Sequence, residues 1–322
     1  MNILMCDTQY TFFLYYLLMP FHKFKDTFFI FDVCFNPYVV HALESAGMAC
    51  HQKTFYDLPL EKRPMARTQN REYLASLIKE IADYCNGDVC IYGQDHIGVA
   101  QAAWDERIKH IPFILLEDGV GNYFKKEQYM KDRPDFLQSN ETLMGHNSRI
   151  QDIYLTGIWR IPNDLKKKAN IMDISSLWQE KSPEEKMLFL SFYHLERDIL
   201  DVISEKTSCF LDCGLSVFGF IPIEQELRVC KKILSQFNIS DVYIKTHPTG
   251  SAINFAQEFP GVTVFTTPLP FEVLYFLTGN HLKSVATICS TAAMVVDENV
   301  EQQFYDREGN RIEIRYPCNE LI

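Results

Sequence analysis

Four short groups of residues in this chain have the types and spacing to do chemistry. Lys245, Thr246, His247 and Pro248 end the stretch DVYIKTHP at 241–248. Val242 and Ile244 are apolar and β-prone, and Pro248 cannot continue a ladder, so a short buried strand is expected to stop at the histidine. At the carboxyl end of a parallel strand that histidine stands where open α/β sheets bind ligands; at the end of an ordinary strand it is only solvated. Glu117 and Asp118 stand together before Gly119, Val120 and Gly121. Adjacent carboxylates disfavour each other's ionisation, which tunes one toward a working base, although a plain turn uses the same residues. Ser290 and Thr291 follow the apolar run VATIC and open the segment TAAMVV. Hydroxyls and free N–H groups at a helix start suit a phosphate, or serve as a simple cap. Glu272, two residues after Pro270, opens an apolar helix, where it can accept two ribose hydroxyls or complement the helix dipole.

An alternation of apolar strands and amphipathic helices supplies the scaffold. Strands are expected at 2–6, 27–33, 88–92, 111–116 and 153–156, with helices at 10–19, 37–47, 70–85 and around 97–109. The clearest helix aligns Tyr73, Leu74, Leu77, Ile78 and Ile81 on one face, and Asn86 with Gly87 stops it. Over 161–186 proline, asparagine and lysine dominate, which reads as a linker between domains. The alternation then restarts, with strands at 187–192, 209–215, 241–248, 262–265 and 284–289 and helices at 194–206, 221–237 and 270–277. The expected architecture is α/β: two Rossmann-like, doubly wound domains, 1–160 and 187–322, whose strand ends face a cleft for a nucleotide and a second substrate.

Composition narrows the function. The 322 residues exceed what one core normally holds, and 47% hydrophobic with 23% charged residues is an ordinary globular balance. A net charge of −11 argues against an extended nucleic-acid face. The clusters Lys125 with Lys126, and Lys166 to Lys168, read as solvated surface. Neither half contains GxGxxG, GxxxxGK[ST], GxSxG or HExxH, so dinucleotide, P-loop, α/β-hydrolase and zincin chemistries are poorly supported. The 10 cysteines form no CxxC pair and several lie in apolar runs, as expected for reduced thiols of a cytoplasmic protein. MNILMCDT lacks a cationic leader, and the apolar run 10–21, broken by Pro20, falls short of the ~20 residues that span a bilayer.

The order Glu117-Asp118-Gly119, Lys245-x-His247-Pro248, Pro270-x-Glu272, Ser290-Thr291 resembles the bacterial sialyltransferases, which share acidic-acidic-Gly, His-Pro and Ser-Ser/Thr motifs. The best match is the family of lipooligosaccharide and capsule sialyltransferases, glycosyltransferase family 52. NILMCDTQYTFFLYYLL resembles that family's first strand and helix, and LLEDGVGNYF and IYLTGI its middle. The resemblance implies a two-domain GT-B fold, an inverting mechanism, CMP-sialic acid as donor, and no metal or other cofactor. Carried over, Asp118 is the general base and His247 stabilises the phosphate of the departing CMP, with a raised pKa when that phosphate is bound. Ser290 and Thr291 bind the same phosphate, Lys245 adds charge, Glu272 holds the ribose, and Gly119 and Pro248 count with the donor side. Relatives do not all place the base on one strand, so Asp212, in CFLDCGLS, is an alternative base. The implied partners are the nucleotide-sugar donor and a glycan acceptor on a lipid carrier, with peripheral membrane contact and a homodimer both open. The alternatives are a UDP-sugar-dependent glycosyltransferase of the same fold and a non-catalytic partner in glycan assembly.

Overall fold

A computed structural model describes residues 1–53, 58–124, 143–195, 197–278 and 281–313. Lys125, Lys126 and Cys318 lie outside them. The chain divides into two compact units, Met1–Phe192 and Tyr193–Ile322.

The first unit is built on seven strands: β1 (Asn2–Cys6), β2 (Thr27–Phe31), β3 (Ala49–Gln52), β4 (Cys90–Gly93), β5 (Phe113–Leu116), β6 (Ile150–Leu155) and β7 (Ala169–Ile171). Their order is β3-β2-β1-β4-β5-β6-β7, and every neighbouring pair is parallel. Strand β1 shows why: Ile3, Leu4, Met5 and Cys6 are fully buried, the continuous apolar run of a strand covered on both faces. The helix Gln9–Leu18 follows at once, its start capped by the Thr8 side chain accepting from the Thr11 N–H. Its aromatic residues enter a ring cluster in which Phe12 stacks on Phe189 at 5.7 Å between centroids. The helix expected at 70–85 begins earlier, at Arg63–Tyr84, and ends as expected at Asn86 and Gly87, both at positive φ (53° and 80°).

Two expectations fail in this unit. The segment 161–186 is not a linker: it supplies the edge strand β7, the helix Ile174–Glu180 and the start of the helix Pro183–Ser191. Its Trp178 is buried against Phe13 at 5.8 Å. A three-residue strand is too short to show any period, so its polar residues passed for a connection. Residues 187–192, expected as a strand, continue the helix Pro183–Ser191, and the division between units falls at 192/193. A six-residue apolar run does not distinguish strand from buried helix. The deciding signal was Ser182 with Glu185, which form a reciprocal capping box.

The second unit repeats the plan with β8 (Ser208–Leu211), β9 (Val242–Lys245), β10 (Thr263–Phe265), β11 (Ser284–Thr287), β12 (Glu301–Tyr305) and β13 (Arg311–Ile312). The order is β10-β9-β8-β11-β12-β13, parallel except for the final antiparallel pair. Phe210, Ile244 and Ala286 from three strands pack with Val229, Cys230 and Ile233 of the helix Ile223–Leu234. Both sheets are therefore Rossmann-like and doubly wound, and each reverses direction once, between β1 and β4 and between β8 and β11. At such a reversal the loops diverge and leave room for a ligand.

Smaller corrections follow the same physics. The helix expected around 97–109 is only a 3-10 turn, Val99–Trp104. Lys168 is no part of a continuous basic surface, because its Nζ donates to the carbonyls of Gly145 and Asn147 at 3.0 and 2.9 Å. The nine described cysteines are free thiols, and among the described residues no helix is long and apolar enough to cross a membrane.

Candidate active site

In the second unit the strand ends around the reversal carry most of the singled-out residues. Strand β9 delivers Lys245, which is buried, with its Nζ donating to the Thr246 carbonyl at 2.7 Å. Burial pulls the Lys245 pKa down to about 8, against the charges of Cys209, Glu272 and Asp212. His247 follows, half-buried, its ring edge-on to Phe218 at 5.1 Å. His247 Nδ1 accepts the Thr249 N–H at 3.2 Å and lies 2.7 Å from the Thr249 hydroxyl. A neutral imidazole accepting at Nδ1 carries its proton on Nε2. Burial, then the Lys245 charge, pushes the His247 pKa down to about 4. In the ligand-free chain His247 is thus a neutral donor, and the expected upward shift belongs to a phosphate-bound state.

Strand β8 ends in Asp212, 5% exposed, whose Oδ1 accepts the Gly214 N–H at 3.1 Å. Burial raises its pKa. Gly214 has φ +60°, a left-handed backbone that favours glycine, and it lies beside His247, whose Cβ would be in ordinary contact at 3.5 Å with a Cβ placed there. Beyond it, the fully buried Glu226 accepts the Leu215 and Ser216 N–H groups at 2.7 and 2.9 Å and the Ser216 hydroxyl. One carboxylate therefore fixes the loop that sets Phe218 against His247.

Strand β11 leads to Ser290 and Thr291, both half-buried. The Ser290 N–H donates to Thr287 Oγ1 at 3.0 Å, and its side chain makes no capping bond. The expected helix TAAMVV is only a 3-10 turn, Thr291–Met294. So short a turn has no appreciable macrodipole, and an anion there must rely on the hydroxyls and local N–H groups. Glu272, after β10, is buried in the first turn of the helix Phe271–Leu277, and its charge acts on Lys245. Pro248 is half-buried beside His247. The second unit thus gathers His247, Asp212, Ser290 and Thr291 onto the ends of three adjacent strands, with Lys245 and Glu272 buried at the same edge.

The remaining pair, Glu117 and Asp118, ends β5 in the first unit, and the two differ sharply. Glu117 is fully buried and accepts from the Tyr10 and Tyr123 hydroxyls at 3.1 and 2.7 Å and from the Thr156 N–H and hydroxyl. It is a structural anchor. Asp118 keeps 20% of its side chain exposed, with Oδ2 3.0 Å from His96 Nε2 and Oδ1 accepting the Thr8 hydroxyl at 3.3 Å. Burial works to raise its pKa, but the bond and charge of His96 outweigh it and hold it below the usual range. Gly119, expected on the donor side, lies in this first-unit turn at φ +68°.

His96 escaped the sequence reading. Burial opposes its cation, yet Asp118 first, then Asp95 and Asp7, lift its pKa to about 9. Its signal was Gln94-Asp95-His96 directly after a strand at the point of reversal. Asp95 is fully buried and accepts the Met144 and Gly145 N–H groups at 2.9 and 2.8 Å. Asp7, at the end of β1, is pushed up to about 7 by burial and by the Asp118 charge. The raised His96 pKa gives a testable pH dependence. Its stabilisation is complete below the unfolded value of about 6.5 and is lost as pH rises through about 9. Wild-type Tm is therefore expected to fall across that window, and His96→Gln to lower Tm at pH near 6 and flatten the fall. Equal slopes in a thermal-melt series would show that His96 is not charged.

The profile of glycosyltransferase family 52 matches residues 63–305. A Haemophilus influenzae protein, described as uncharacterised, is 28% identical over 206 residues, 64% of this chain; the match spans 65% of that relative's length. Among solved structures, the α/β-galactoside α-2,3-sialyltransferase of Photobacterium phosphoreum aligns over 94% of this chain and 90% of its own, at 12% identity and TM-score 0.59. The 2,6-sialyltransferase of Photobacterium sp. JT-ISH-224, in a ternary complex with CMP and lactose, aligns over 95% of this chain and 72% of its own, at 12% identity and TM-score 0.60. At such identities the likeness is one of fold.

Proposed function

Because the chain belongs to glycosyltransferase family 52, we propose that it is an inverting sialyltransferase. It moves sialic acid from CMP-sialic acid to a terminal galactose-type sugar of a bacterial lipooligosaccharide or capsular polysaccharide. The observation that carries this is the carboxyl edge of the second sheet, where a neutral histidine with its proton on Nε2 and the hydroxyls of Ser290 and Thr291 lie in the loops after β9 and β11, the strands on either side of β8. Those groups match the oxygens of a phosphate leaving as CMP.

The bond between the anomeric carbon and the phosphate oxygen breaks with its electron pair going to CMP. The acceptor oxygen bonds to the anomeric carbon from the opposite face, and its proton goes to a base. A tertiary anomeric carbon reacts through an oxocarbenium-like state, so stabilising charge on the departing phosphate supplies most of the help. The arriving phosphate favours the imidazolium, raising the His247 pKa from its ligand-free value, and the lysine cation adds to the field. Asp118 is assigned as base because it is ionised and partly exposed. Asp212 is nearly enclosed and burial disfavours its ionisation. Late in bond formation the acceptor oxygen becomes strongly acidic, so a weak carboxylate base suffices.

Incubation with CMP-sialic acid and lactose is expected to yield CMP and sialyllactose in equal amounts by chromatography and mass spectrometry. Failure to release CMP with any galactose-terminated acceptor, together with a Tm raised by UDP and not by CMP, would transfer the assignment to a UDP-sugar donor.

A further inference from the structure

A cavity of about 430 Å³ opens where the first sheet reverses direction. Its floor carries Asp7, Asp32 and His96, from the ends of β1, β2 and β4, and its wall carries Lys53, Arg67 and Arg71. Arg67 and Arg71 lie four residues apart on the helix Arg63–Tyr84 and so share a face. Among the described residues none of these three cations is in an ion pair. At the floor, the buried atoms Asp7 Oδ1 and His96 Nδ1 have no hydrogen-bond partner among the described residues. Buried polar atoms are nearly always paired, so these two orphans mark the ground beneath the cavity as polar rather than packed for stability alone. The volume falls within the ~300–1,000 Å³ of small-molecule sites.

We propose that this cavity binds the acceptor glycan through a negatively charged substituent, a phosphate or carboxylate, gripped by Lys53, Arg67 and Arg71, while the Asp7 carboxyl takes a hydroxyl of the adjoining sugar. The division of charge selects this ligand class. A bare phosphate sinking to the floor meets the carboxylates of Asp7 and Asp32, and Asp32 is fixed by the Val33 and Val99 N–H groups at 2.6 and 3.0 Å. A neutral sugar leaves the cationic wall unused. A saccharide with its hydroxyls inward and its anion outward satisfies both. The three cations are exposed, so their grip weakens as salt rises. The role as acceptor rests on the proposed transferase function; the binding does not.

Isothermal titration of the full-length chain tests this with lactose, lactose 6′-phosphate, a uronic-acid disaccharide and inorganic phosphate. Both anionic saccharides are expected to bind about tenfold more tightly than lactose at low salt. Arg67→Gln with Arg71→Gln removes that preference, and Lys53→Gln reduces it. Equal affinity for neutral and anionic saccharides overturns the proposal, as does a preference that survives the double substitution. Inorganic phosphate binding as tightly as the phosphosugar overturns the assignment of a sugar. CMP release from CMP-sialic acid separates the two levels. Release without charge preference sinks this site alone; charge-selective binding without release sinks the transferase function and leaves the site standing.

Discussion

His247→Ala is expected to lower kcat by ~10²–10⁴-fold, the range for losing a positioned proton-transfer or charge-stabilising group. The KM for the donor should change far less, because a contact that strengthens as the phosphate departs acts mainly in the transition state. The fold should survive, since the ring is half-buried and meets Phe218 and Thr249. Steady-state kinetics with a parallel melt check this. A variant that keeps wild-type kcat would remove His247 from the chemistry. Titration adds a second test. The folded pKa of about 4 lies below the ordinary histidine value, so the stability tied to the neutral ring is present above about 6.5 and is lost as pH falls toward 4. His247→Asn should blunt that acid-side loss of Tm.

Asp118→Asn is expected to cost ~10²–10⁴-fold in kcat, through loss of the base. It also removes the charge that holds His96 cationic, so the melt of this variant should lose the wild-type dependence on pH between about 6.5 and 9. Asp212→Asn should instead act mainly on stability and donor KM, because Asp212 Oδ1 organises the turn at Gly214 beside His247. Full turnover in Asp118→Asn together with a collapse of turnover in Asp212→Asn would place the base on the second unit. Asp7→Asn runs the other way for stability. Its pKa of about 7 reflects a carboxylate that the fold resists ionising, so removing the carboxylate should raise Tm above pH 7.

The fold was legible because buried parallel strands write themselves as apolar runs: NILMC, TFFIF and VYIK all became β-strands. What escaped was short or two-natured. Strand β7 is three residues at a sheet edge, and β12 reads EQQFY, with only its last two residues buried. The run MLFLSF was apolar enough for either state, and the capping box, not the period, decided it. His247, Asp212 and the Ser290-Thr291 pair could be singled out as candidates because each follows an apolar strand, and the structure places them in the loops after β9, β8 and β11. Glu117 and Asp118 looked equivalent in sequence. Only the packing of Tyr10, Tyr123 and Thr156 shows that one is consumed as an anchor. His96 and Asp7 were missed because their meaning lies in one another's proximity to Asp118, across 111 residues of chain from Asp7, counted as 118 minus 7.

The residues assigned to the proposed chemistry lie along one margin of each sheet, where the parallel strands finish, while the turns at which Gly87 and Gly261 stand carry none of them. Gly87 and Gly261, just ahead of β4 and β10, stand in open space at φ +80° and +91°, so the glycines themselves are kept and any addition goes beside them. Those turns are natural attachment points: a fluorophore, an affinity tag or an inserted reporter module at either should tether the molecule to a surface, leaving the reacting margins unobstructed.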